Sequence, residues 1–125
     1  MKKLVLLVIV CSFSSILFSQ ENKNITISKA VISGFQKAEY SKIVLLFDET
    51  MKNALPEEKL KLVWEDLNVK CGKYQKYSEI TEGKIQTYDL TYVLCHFEKM
   101  NLQMKLVFND KNQIAGLFFV PENQK

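Results

Sequence analysis

The residues equipped for chemistry are few: one histidine (His96), a carboxylate set in an apolar strand (Asp89), the thiols Cys71 and Cys95, and one indole (Trp64). A single imidazole holds a metal only with thiolate or carboxylate neighbours at ligand spacing, and none stand there. Cys95 and His96 are adjacent on a strand, so their side chains leave on opposite faces. A thiol–imidazole nucleophile pair is thereby removed. His96 reads as a strand histidine lying under a partner surface rather than as a lone acid–base. Asp89 shares a strand face with Thr91 and Cys95, where a carboxylate lining a cavity would do acid–base work. No second acid–base residue stands beside it, and a position near a strand end also suits a solvated carboxylate. No catalytic residue is assigned; Asp89 is the single candidate. Trp64 is a ligand platform if the domain holds a cavity, but its place on the Leu60–Leu67 stripe makes it core first. Phosphate loops, nucleophile elbows and zinc signatures are absent, and no cofactor is expected.

These residues are positioned by a helical half followed by a strand half. Ile27, Ala30, Val31, Gly34, Phe35 and Ala38 recur at helical spacing and predict a helix near 26–39, with Thr26 or Ser28 as its cap. A second helix is expected over 40–54, where Ile43, Phe47 and Met51 form a stripe. The third starts at Pro56, with Glu57 and Glu58 suited to the positive end of its dipole, and carries Leu60, Val63, Trp64 and Leu67 on one face. After Cys71-Gly72 the period becomes two. Strands are expected at 73–81, 86–98, 102–109 and 113–120, with turns at Glu82-Gly83-Lys84, Lys99-Met100-Asn101 and Asp110-Lys111-Asn112. The fold class is α+β: three N-terminal helices packed on a four-stranded antiparallel meander.

Two details of the sheet bear on function. A turn centred on Gly83 sets Cys71 opposite His96 and Gly72 opposite Cys95, one residue out of step, so the thiols are expected to stay free unless a bulge intervenes. The strand at 86–98 also puts Tyr92, Leu94 and His96 on the face opposite Thr91, Val93, Cys95 and Phe97. The last strand is apolar on both faces. A sheet with one wet face should alternate more cleanly, so the second face is expected to be covered, most simply by a second copy of the chain.

The first residues carry a different signal. Met1-Lys2-Lys3 is basic, the run from Leu4 to Ser19 is uncharged, and Gln20-Glu21-Asn22-Lys23 is polar. This is the pattern of a cleavable signal peptide, with the cut placed after Ser19. A membrane anchor wants about 20 apolar residues, and this run is shorter and includes four serines. A lipoprotein cysteine at Cys11 would follow the bulky Val10. The organisation is therefore 1–19 signal peptide and 20–125 one exported domain, periplasmic or secreted. Losing Lys2 and Lys3 reduces 17 basic residues to 15, against 14 acidic, so the mature net charge is +1. Every basic residue is lysine. Neither the charge nor the side chains suit nucleic acid, and no membrane association is expected after cleavage.

Several strings along the chain resemble a known family: Phe47-Asp48-Glu49-Thr50-Met51, Leu55-Pro56-Glu57-Glu58-Lys59-Leu60, Val63-Trp64, Cys71-Gly72-Lys73-Tyr74, Cys95-His96-Phe97-Glu98, and Val107-Phe108-Asn109 through Ile114 to Pro121. Together they look like the domain of unknown function 3887 family, grouped with the nuclear transport factor 2-like, cystatin-like α+β cones. The resemblance spans about residues 28–121. It implies helices closed over a curved sheet, a conical cavity, and sheet-to-sheet dimerisation. In that family the domain often stands beside a hydrolase or another catalytic domain.

The expectation is a small exported domain that binds a small apolar ligand or a protein partner, with Trp64, Asp89, Thr91 and Cys95 lining the cavity. Tyr92, Leu94 and His96 are expected on the face of a homodimer. The alternatives are a small hydrolase or isomerase-like enzyme using Asp89, or an accessory subunit of a separately encoded enzyme.

Overall fold

The computed structural model describes residues 22–122; the signal peptide expected at 1–19 lies outside them. The chain forms α1 (Lys23–Gln36), α2 (Tyr40–Val44), α3 (Glu49–Ala54) and α4 (Glu57–Lys70). The strands β1 (Tyr74–Ile85), β2 (Tyr88–Phe97), β3 (Asn101–Phe108) and β4 (Ile114–Pro121) follow. They make one antiparallel sheet in the order β1-β2-β3-β4.

Helix α1 begins earlier than its apolar period suggests, because Asn22 caps it by accepting the Asn24 N–H at 2.8 Å. It ends where Ala38 takes a left-handed conformation, φ 57°, and its last carbonyls are satisfied by the N–H groups of Lys37, Ala38 and Glu39. Gly34 then allows α2 to approach, since a Cβ there would lie 2.7 Å from Ile43 Cγ1.

The single helix expected over 40–54 is two helices, which makes four among the described residues rather than three. The break has two causes. Ile114 at the start of β4 clips onto the segment, its N–H bonding Leu46 O and its carbonyl accepting the Asp48 N–H, both at 2.9 Å. Asp48, expected to sit mid-helix, instead caps α3 by accepting the Met51 N–H at 2.8 Å. An aspartate satisfies an orphan N–H at a helix start better than it serves a helix interior.

The β1–β2 turn is also displaced. It lies at Gln86-Thr87, with Gln86 at φ 55°, and Ile85 faces Tyr88. Gly83 is an ordinary strand residue opposite Leu90. Tyr77, not Gly72, faces Cys95, and two register shifts, at Tyr74/Lys76 and Tyr77/Glu79, adjust the pairing. Cys71 closes α4 by donating its N–H to Leu67 O at 2.8 Å. Gly72 follows at φ 83°, so close to Glu98 that a Cβ would meet Glu98 Cβ at 2.6 Å. Both thiols are free and buried.

The core lies between the helices and one face of the sheet. Thr91, Val93, Cys95 and Phe97 of β2 face inward beside Leu102, Met104, Leu106 and Phe108 of β3, against Val31, Ile32, Phe35, Leu60 and Trp64. The Phe35 and Trp64 rings stack at 4.6 Å, and Tyr74, Phe97 and Phe119 close around the indole. One buried polar pair crosses from helix to sheet. Ser28 Oγ lies 2.7 Å from both Asn24 O and Thr91 Oγ1. No helix among the described residues is long and apolar enough to cross a membrane.

Candidate functional site

The expected cavity residues separate. Trp64, Thr91 and Cys95 lie inside the helix–sheet core, 7 %, 0 % and 0 % exposed. The space between helices and sheet is occupied there by packed rings. Burial pushes the Cys95 thiol up to about 12, against a backbone hydrogen bond from Met104 that lowers it, so the thiolate a nucleophile needs is suppressed at neutral pH. Burial likewise raises the Tyr74 phenol, with Cys95 and Tyr77 adding to it. Asp89 stands at the open end of β2, its side chain half exposed, with Lys84 Nζ 3.5 Å from its carboxylate.

The free face of the sheet is different. Leu90, Tyr92, Leu94 and His96 project there from β2, in register with Asn101, Gln103, Lys105 and Val107 on β3 and with Gly116, Phe118 and Val120 on β4. Tyr92 and Leu94, expected to be an open apolar patch, are already covered within one chain, at 7 % and 8 % exposure. Phe118 remains 51 % exposed, with Lys105 Nζ 5.8 Å from its ring centroid. Gln103 is buried between Leu94 and Val120, and its Oε1 has no hydrogen-bond partner.

One end of this face holds a cleft of about 440 Å³. Leu90, Tyr92 and Ile85 supply apolar surface, Gly83 and Thr81 part of the wall, and Glu82, Lys84 and Lys105 the charge. The missing side chain at Gly83 helps to open it: a Cβ there would meet Tyr92 Cε2 at 3.6 Å and Leu90 Cβ at 3.9 Å. The other end is polar. Ser78, the extra residue of the β1 bulge, places Oγ 2.7 Å from His96 Nε2, while His96 Nδ1 lies 2.9 Å from Asn101 Oδ1. Asn101 Nδ2 donates in turn to Glu122 Oε1 at 3.2 Å.

Sequence reasoning singled out Tyr92 and His96 on this face but missed Gly83, Lys105, Ser78 and Asn101. Gly83 carried a turn signal, and the association of Ser78 with His96 depends on a bulge that nothing in the local sequence announces. Among the described residues no group of three or more potential metal ligands converges.

The architecture of the described residues is α+β, four helices on one face of an open four-stranded antiparallel sheet. The family described as "Protein of unknown function (DUF3887)" matches residues 28–117, most of the chain, and the protein belongs to it. No curated protein and no solved structure matches significantly.

Proposed function

We propose that this is an exported binding domain that takes a small apolar ligand in the cleft on the free face of its sheet. The observation that carries the reading is the cleft itself. A volume of about 440 Å³ is within the size range of ligand sites, and its walls set the apolar surface of Leu90, Tyr92 and Ile85 beside the orienting charges of Glu82, Lys84 and Lys105. Helices on one face of a meander also support kinship with the nuclear transport factor 2-like cones. The ligand space proposed here lies across the sheet from the helix-covered side that the cone resemblance implies.

Gly83 provides the test. It is extended, and the contacts awaiting a Cβ are ordinary van der Waals distances, so Gly83→Val fills the cleft while favouring the strand. Wild-type protein is expected to bind anilinonaphthalene sulfonate with enhanced fluorescence, and Gly83→Val to lose that binding with an unchanged circular dichroism spectrum. Equal binding by the two proteins would place the apolar site elsewhere.

A homodimer is the second reading, favoured by Phe118. An exposed aromatic ring beside Val120 on an otherwise self-covered face is a surface that a two-fold partner would bury.

A further inference from the structure

We propose that Ser78, His96 and Asn101 form a hydroxyl-nucleophile centre, in which Ser78 accepts acyl groups from small, accessible esters. This goes beyond ligand binding in the cleft and uses other residues.

The direction of each hydrogen bond follows from the far end of the chain. The Glu122 carboxylate only accepts, so it takes the N–H of Asn101 Nδ2 at 3.2 Å. That turns Asn101 Oδ1 toward the ring 2.9 Å away. An amide oxygen also only accepts, so the neutral imidazole carries its proton on Nδ1. Nε2 is then left with a free lone pair, and the Ser78 hydroxyl donates to it at 2.7 Å. This is the tautomer and the contact that general-base activation of a hydroxyl requires, with Asn101 as the positioning residue for the ring.

The backbone suits the role. Ser78 is the bulged residue between Tyr77 and Glu79, and a bulge re-aims a side chain that regular pleating would place elsewhere. β1 is an edge strand, so part of its backbone N–H row is not paired within the sheet. Ser78 is exposed and His96 half-buried, so an ester reaches the hydroxyl without the protein opening.

The reaction balances within these groups and water. Ser78 Oγ adds to the ester carbonyl carbon as its proton passes to His96 Nε2. The carbonyl–alkoxy bond breaks, and the same proton leaves with the alcohol. Water then adds to the acyl-serine, giving one proton to Nε2. The acid departs as that proton returns to Ser78 Oγ.

The test is labelling of the mature chain with a fluorophosphonate probe, read by intact mass and peptide mapping, beside p-nitrophenyl acetate hydrolysis. One adduct is expected, on Ser78, and none in Ser78→Ala. His96→Gln should slow labelling about a hundredfold, within the range for loss of a general base. Asn101→Asp combined with Glu122→Gln, which exchanges the carboxylate and amide of that 3.2 Å pair and so avoids two facing carboxylates, keeps an acceptor for Nδ1–H and should label at a rate near wild type, whereas Asn101→Leu should label slowly; a purely structural asparagine would not show that rescue. Absence of an adduct on Ser78, or a labelling rate indifferent to His96→Gln, overturns the proposal. Anilinonaphthalene sulfonate binding by Ser78→Ala reports separately on the cleft.

Discussion

Replacing Ser28 by alanine should destabilise the domain more than replacing its partner Thr91 by valine, although both remove the same helix–sheet contact. The asymmetry follows from who donates. Asn24 O can only accept, so the Ser28 hydroxyl gives it its proton at 2.7 Å. Thr91 must therefore be the donor in its 2.7 Å contact with Ser28 Oγ. Both residues are fully buried. In Ser28→Ala the Thr91 hydroxyl loses its acceptor away from water, which costs about 1–3 kcal/mol. In Thr91→Val the Ser28 hydroxyl keeps Asn24 O, and the loss is one ordinary hydrogen bond, about 1 kcal/mol. Adding Thr91→Val to Ser28→Ala removes the stranded hydroxyl, so the double variant should be more stable than Ser28→Ala alone. Urea unfolding of the four proteins measures this; with a slope of about 1–3 kcal/mol per molar urea, the Ser28→Ala midpoint falls by about 1 M. A Thr91→Val cost exceeding that of Ser28→Ala, or strictly additive losses in the double variant, would refute the assignment of the donors.

Cys95 binds its proton more tightly folded than unfolded, 9.0 rising to about 12 through burial, and Tyr74 shifts the same way. The unfolded chain thus releases protons first as pH rises, so this contribution to stability is complete below about pH 9 and is lost up to about pH 12, by at most about 1.4 kcal/mol per pH unit for Cys95; denaturation midpoints across that window read it, and an unchanged midpoint would contradict the burial. If the free sheet face pairs with its own copy, the mature protein sediments as a dimer at micromolar concentration and Phe118→Glu as a folded monomer; a monomeric wild type removes that reading. Protein recovered from an exporting host should have the intact mass of a chain beginning at Gln20 or within a residue or two of it, and a full-length mass would refute the signal peptide.

Much of the architecture was legible without coordinates. The 3.6-residue spacing of Val31, Phe35, Leu60 and Trp64 and the two-residue spacing through β2 are local patterns, and burial on one face of a helix or strand enforces them wherever the element sits. The assignment of Val93, Cys95 and Phe97 to one side and Leu94 and His96 to the other needed only the pleat. The places where the sequence misled are those decided at a distance. The helix over 40–54 broke because Ile114, far along the chain, bonds to Leu46 and Asp48. Gly83 looked like a turn but lies in a strand, while the turn formed at Gln86 with a positive φ and no glycine to mark it. That shift of register decided which residues met. It set Tyr77 opposite Cys95 and, through the bulge beside it, brought Ser78 to His96. Residue types and periodicity determine the elements and their inner faces, because those depend on neighbours a few positions away. The cleft at Gly83 and the Ser78–His96–Asn101 chain depend on strand register, which only the assembled sheet determines.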